Sequence, residues 1–177
     1  MGLLDFEDFK NLKKAGLSRY HNNLESFFKN VCTTYTTQDK INFINWAKKA
    51  GFEICSGGIM GLGENWEDRI DLAFMLKELN TNSVLVNILN TIKGTPFEKN
   101  KQLTPEEIVR ICSIFRFFIP KAFIRLAGGR LLFKDNGRKC FLSGANAVIP
   151  GNMLATYGYT TKSDLALIEE LNYKAEL

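Results

Sequence analysis

The chain has 177 residues, 45% hydrophobic and 24% charged, with a formal net charge of +4, which suits one globular domain with its own core and excludes a disordered or fibrous chain. Its lysines are scattered, which argues against a nucleic-acid surface, and no apolar run approaches the ~20 residues of a bilayer span, so a cytoplasmic chain without membrane association is expected. One histidine, His21, and four cysteines, Cys32, Cys55, Cys112 and Cys140, lacking C-x-x-C spacing, exclude a histidine-centred triad, a multi-histidine metal site, structural zinc and a disulfide framework.

Asp5 to Lys14 places Phe6, Phe9 and Leu12 at helical spacing, with acids first, lysines last and Gly16 as the stop. Leu17 to Asn23 predicts a brief strand ending in polar amides, followed by a loop from Glu25 to Thr37. Gln38 to Lys49 predicts a helix with Ile41, Ile44, Trp46 and Ala47 on or near one face, capped by Thr36 or Thr37 and ended by Gly51. Phe52 to Ser56 reads as a strand, with Cys55 where it ends and a glycine-rich loop, Gly57 to Gly63, opens toward the next helix.

That helix, Trp66 to Leu79, carries Ile70, Ala73, Phe74 and Leu76 mostly on one stripe. Ser83 to Leu89 is a continuous apolar run, as a parallel strand buried on both faces requires. Thr104, Pro105, Glu106 and Glu107 form a capping box with proline at the first helical position, and the helix runs to about Phe118 with Phe115, Phe117 and Phe118 read as core. Ala122 to Leu126 is a strand that delivers Arg125, followed by Gly128 and Gly129. Lys134 to Leu142 is a poorer helix because of Gly137, Gly144 to Ile149 another strand, and Thr161 to Leu171 a final helix.

A helix followed by five strand–helix units is the repeat of a parallel α/β sheet, and no linker divides it, so residues 1–177 read as a single domain. In a (β/α) barrel the C-terminal strand ends form the active-site mouth, where Asn23, Cys55, Asn87 and Arg125 are expected to converge. Each has a plainer reading. Cys55 also fits a buried core position, and Asn23 and Asn87 fit loop backbone satisfaction. Arg125, between Ile124 and Leu126, needs an acid, a ligand or a metal cluster to balance it. His21 reads as a polar strand-end residue, and Cys32, Cys112 and Cys140 as structural.

The run CSGGIMGLGE followed by Asp68 and Arg69 resembles a segment of the biotin synthase family, within the radical S-adenosylmethionine superfamily. AGLSRYHNNLE, SVLVNILNTIKGTP, LTPEEI, IRLAGGR and FLSGANAVIPGNML resemble further motifs of that family in the same order. The resemblance implies a partial (β/α) TIM-type barrel, about five parallel units of eight. It implies radical sulfur insertion into dethiobiotin to form biotin, a transferase step of biotin biosynthesis. By resemblance, Cys55 and Arg125 are ligands of a 2Fe-2S cluster, the sulfur donor. Asn23 and Glu25 hold the ribose of S-adenosylmethionine, Glu25 standing where aspartate is usual, while Gly57, Ile59 and Gly61 contact its nucleoside part. Asn87 lies between S-adenosylmethionine and dethiobiotin, and Thr156 stands near the substrate tail. Lys40 occupies a position where arginine is common.

The family's C-x-x-x-C-x-x-C loop, which ligates the radical-generating 4Fe-4S cluster, does not occur in this sequence, so no catalytic residue is assigned. Leu131 and Ala155 also depart from the family pattern. The expectation is the C-terminal portion of a biotin synthase, with a complementary N-terminal half or a homodimer as partner. The alternative is a non-catalytic relic or binding fragment.

Overall fold

Helices begin where a short polar side chain can take the first free backbone N–H groups. Asp5 with Asp8, Thr36 with Asp39, Asn65 with Asp68, and Thr104 with Glu107 each close a reciprocal capping box. The structure, a computed structural model, describes residues 4–25, 35–152 and 157–176. Its elements are α1 (Phe6–Lys14), β1 (Arg19–His21), α2 (Thr37–Lys49), β2 (Glu53–Met60), α3 (Trp66–Glu78), β3 (Ser83–Ile88), α4 (Pro105–Phe118), β4 (Phe123–Leu126), α5 (Arg138–Leu142), β5 (Ala147–Val148) and α6 (Thr161–Glu170), with a 3-10 turn at Arg130–Leu132.

The strands form one five-stranded sheet in the order β1-β2-β3-β4-β5, and every pairing is parallel. Sequential order with a crossover between each pair is the winding of a (β/α) barrel, of which this sheet is a part. Two asparagines in helix-to-strand turns repeat one device: Asn82 accepts from the Ile54 N–H and Asn146 from the Ile124 N–H, both at 2.8 Å. On the helix side, Ile54, Val84, Val86, Ile124 and Leu126 pack against Leu72, Leu76, Ile108, Ile111 and Phe115. Each such buried side chain contributes roughly 1.5–3 kcal/mol. The opposite face carries a separate small cluster, Cys55, Leu85 and Ala127, with Ile149 packed on it. Among the described residues no helix is long and apolar enough to cross a membrane.

Several elements differ from the sequence expectation. β2 does not stop at Ser56 but runs eight residues to Met60, because Gly57 and Gly58 lie inside the sheet. A Cβ on Gly57, whose φ is +150°, would sit 2.1 Å from the Leu85 carbonyl oxygen. The glycine therefore permits close approach of β2 to β3, and only Gly61 and Gly63 belong to the loop. In α3 the buried face includes Arg69 and Leu72, whereas Ile70 and Phe74 are exposed, since Arg69 pairs with a buried acid. Phe117 is 82% exposed and not core, while Phe115 is fully buried. Gly137 is not a weak point within a helix: it is the N-cap of the five-residue α5, in the left-handed region at φ +84°. β1 and β5 are shorter than predicted, three and two residues. Cys112 and Cys140, on α4 and α5, are both fully buried, and their contact together with burial pushes the Cys112 thiol pKa up. Cys32 lies outside the described residues.

Two predictions follow from these contacts. Gly57→Ala forces β2 and β3 apart and destabilises the chain by roughly 3 kcal/mol or more; a thermal melt within a degree or two of the parent would contradict the close approach. The Thr104 N–H holds the Glu107 carboxyl pKa below its ordinary value. Its stabilisation is thus present above the ordinary carboxylate pKa, about 4.3, and is lost as pH falls through the lower folded value. Urea titrations should show Glu107→Gln less stable than the parent at pH 7 and equal to it in strong acid.

Candidate functional site

Alternation along the strands assigns the functional side chains to faces. In β1, Tyr20 is buried against Phe9 on the helix side, so Arg19 and His21 lie on the interior face. The parallel register sets His21 opposite Cys55, Cys55 opposite Ser83, and Leu85 opposite Arg125. Cys55 is 7% exposed and is the third residue of β2. It therefore sits within the sheet and not at the strand's C-terminal end, which corrects the expectation that it shares the mouth with Asn23 and Asn87.

Arg125 reaches toward Cys55 from two strands away. Its Nε donates to the Ser83 hydroxyl and its Nη1 to the Val148 carbonyl, both at a long 3.4 Å. Among the described residues no carboxylate forms an ion pair with it, so this half-buried guanidinium leaves the interior face electropositive. Burial pushes the Cys55 thiol pKa up, while the Ser83 hydrogen bond and then the charges of Arg125 and Arg19 pull it down. A thiol beside an unbalanced cation is a setting in which an anionic group would be stabilised.

The C-terminal edge of β1 and β2 forms a second region. The Ser56 hydroxyl donates to the Asn22 carbonyl at 2.7 Å and the Leu24 N–H to the Gly57 carbonyl at 2.7 Å, lacing the segment after β1 onto β2. On that segment the Asn23 Oδ1 atom is buried with no hydrogen-bond partner among the described residues, a position suited to a ligand hydroxyl or N–H donor. Lys40, 8% exposed, donates through Nζ to the Asn23 carbonyl at 2.9 Å and lies 3.5 Å from the Glu25 carboxylate. The ammonium thus pins both candidate ribose-binding residues. His21 stands between the two regions; burial lowers its pKa and Glu25 opposes that shift.

The turn after β2 is built by a residue that the sequence reading passed over as chemistry. The Glu64 carboxylate accepts the Gly61 N–H at 2.8 Å and pairs with Arg69 Nε at 2.8 Å, with side-chain exposures of 0% and 5%. The Arg69 guanidinium lies over the Trp66 ring at 4.5 Å, and Asn100 donates to the Gly61 carbonyl at 2.8 Å. Gly61, at φ +100°, is fixed by these contacts and packs against Leu89 and Leu103. Ile59 lies opposite Asn87 in the β2–β3 register. Asn87 accepts the Gly128 N–H through Oδ1 at 3.1 Å, joining the ends of β3 and β4. Cys55 and Arg125 thus share the interior face, Gly57 lies inside the sheet between Cys55 and the strand end, Asn23, Glu25 and Gly61 lie at the adjoining edge, and Thr156 lies outside the described residues. Glu64 was legible only as part of a glycine motif; its burial depends on an arginine five positions on.

Comparison with known proteins yields consistent matches. The family model of the Biotin and Thiamin Synthesis associated domain matches residues 86–174, and that of the Radical SAM superfamily matches residues 1–76. The chain is 58% identical over 180 residues to a biotin synthase of Brachyspira hyodysenteriae, covering 100% of this chain and 54% of that protein. It is 57% identical over 176 residues to one of Clostridium botulinum, covering 98% and 55%. The alignments fall on the C-terminal part of these relatives, and the chain spans about half their length. Among solved structures, a methylornithine synthase superposes with a TM-score of 0.80 at 19% identity, covering 99% of this chain and 57% of that one. An FeFe-hydrogenase maturase from Carboxydothermus hydrogenoformans superposes at 0.75 with 16% identity, covering 96% and 45%. At these identities the structures show the shared fold alone.

Replacing Arg69 by Met leaves the Glu64 carboxylate buried without its partner and costs roughly 3–5 kcal/mol; denaturant unfolding at pH 7 measures it, and a loss under about 1 kcal/mol would contradict the burial of the pair. Cys55 should react with iodoacetamide at pH 8 more slowly than a free cysteine, because burial disfavours its thiolate. Arg125→Met slows it further by removing a favourable charge. Mass spectrometry of the Cys55 peptide follows both rates, and an unchanged rate in the variant would separate the two residues.

Proposed function

The chain belongs to the Biotin and Thiamin Synthesis associated domain family, and on that premise we propose that it forms the C-terminal portion of a biotin synthase-like enzyme, which inserts sulfur into dethiobiotin to form biotin. The observation that carries this reading is Cys55 beside the guanidinium of Arg125, which has no acid partner among the described residues, below an edge suited to a nucleoside. In this reading Cys55 and Arg125 hold a 2Fe-2S cluster. The Cys55 thiol loses its proton on binding metal, which the neighbouring arginine favours. Asn23 and Glu25 accept hydroxyls of the S-adenosylmethionine ribose, and Lys40 keeps both in place. The backbone of Gly57, Ile59 and Gly61 lines its nucleoside part, where the Glu64 clamp fixes the turn. Asn87, its Oδ1 already taken by Gly128, presents its amide nitrogen between S-adenosylmethionine and dethiobiotin, and Thr156 contacts the substrate tail.

When bound, the cluster supplies the sulfur and S-adenosylmethionine the oxidising power for C–H activation, while the protein positions and shields the reactants. The 4Fe-4S ligand motif C-x-x-x-C-x-x-C does not occur in this sequence. The outer edges of β1 and β5 are unpaired among the described residues, which suits strand pairing by a complementary N-terminal half or a second copy. The three described cysteines are free thiols, which suits a reducing cytoplasm.

Co-expression with the N-terminal portion of the Brachyspira relative in a biotin auxotroph tests the reading. Growth without biotin, abolished by Cys55→Ala, is the expected outcome. Halves that fold and co-purify yet support no growth would favour the non-catalytic binding fragment.

A further inference from the structure

We infer that Arg130 and Asp164 are positioning residues for the interior face: their buried ion pair holds the chain leaving β5 so that Ile149 covers Cys55 and the Val148 carbonyl meets the Arg125 guanidinium. The inference rests on the reading of Cys55 and Arg125 as the site, and it adds two residues which that reading does not contain. Arg130 lies in the 3-10 turn after β4 and Asp164 in the first turn of α6, with side-chain exposures of 2% and 4%. The pairing is bidentate, Nη1 to Oδ2 at 3.1 Å and Nη2 to Oδ1 at 2.5 Å. Asn136 joins it, accepting from Arg130 Nη2 through Oδ1 at 2.5 Å and donating through Nδ2 to Asp164 Oδ1 at 3.1 Å. Desolvation offsets much of the attraction in so enclosed a pair, so what it contributes is fixed geometry.

The remaining contacts of the guanidinium show what is fixed. Nη1 also donates to the Ile149 carbonyl at 3.4 Å, and the Tyr159 ring centre lies 5.5 Å from Cζ. Ile149 and Tyr159 stand at the two ends of the connection from β5 to α6. Those ends are tied to each other: the Gly151 N–H donates to the Tyr159 carbonyl at 2.8 Å, and a Cβ on Gly158 would sit 2.1 Å from the Gly151 carbonyl oxygen. The Tyr159 hydroxyl donates to the Phe133 carbonyl. Arg130 therefore grips the connection at its neck. From the neck the chain runs back onto the site, where Ile149 packs on Cys55, Leu85 and Ala127, and the Val148 carbonyl accepts from Arg125 Nη1 at 3.4 Å. Strand β5 is two residues long, too short to fix its own end by pairing alone, so the ion pair supplies the missing constraint.

Alkylation of the native full chain by iodoacetamide at pH 8, followed peptide by peptide in the mass spectrometer, tests the role. Cys112 and Cys140, fully buried in the helix layer, report opening of the whole chain, whereas Cys55 reports its own cover. The double variant Arg130→Met/Asp164→Leu removes both charges and leaves neither buried alone. It should alkylate at Cys55 roughly tenfold faster than the parent, with Cys112 and Cys140 unchanged. Asp164→Asn, which keeps the side-chain shape, should show a smaller rise at Cys55 alone. Ile149→Ala should also expose Cys55, and combining it with the double variant should add nothing, because both act through one contact. An unchanged Cys55 rate, or an equal rise at all three cysteines in both the double variant and Asp164→Asn, overturns the positioning role; additive effects overturn its route through Ile149. Alkylation needs neither metal nor substrate, so each of these failures leaves the proposed function intact, to be decided by growth of the co-expressed halves.

Discussion

The backbones of β2 and β3 meet so closely at Gly57 that a single added carbon would lie 2.1 Å from the Leu85 carbonyl oxygen. That approach holds the register of the sheet's two longest strands, and parallel strands slipped by one residue would exchange their faces. With the register held, Cys55 faces Ser83 and lies level with His21, while Leu85 stands opposite Arg125. The interior face therefore gathers a thiol, a hydroxyl, an imidazole and a guanidinium from four strands that are far apart in sequence.

Three arginines show how differently one residue type is used here. Arg69 and Arg130 are buried and answered, the first by Glu64 and the second by Asp164 together with Asn136. Those pairs shape the turn after β2 and fasten α6 to the segment after β4. Among the described residues Arg125 has only a hydroxyl and a carbonyl at long range. Satisfied charges build the scaffold, and the unsatisfied one marks the face where an anionic group would be stabilised.

The main elements were legible because their causes are local. Capping at Thr104, the proline at Pro105 and the unbroken apolar run from Ser83 depend on neighbours in sequence, and α4 and β3 appear within a residue of expectation. The Gly57 region was misread for the opposite reason. Glycines signal a loop in isolation, yet in β2 they serve a neighbouring strand 28 positions away. The stripe of α3 was likewise turned by the partner of Arg69, so that Ile70 and Phe74 face outward. Phe117 was counted as core by composition, although its position on α4 points it away from the sheet.

By itself the sequence determined the order of helices and strands, the parallel α/β class and the residue types available for chemistry, since helical and strand periodicities and caps are written within a few residues. Only the tertiary structure decided that Cys55 lies inside the sheet, that His21 stands beside it, that Arg125 lacks an acid among the described residues and that Glu64 is clamped by Arg69. Those facts follow from interstrand register and burial, which arise from contacts between distant segments and leave no periodic trace in either one.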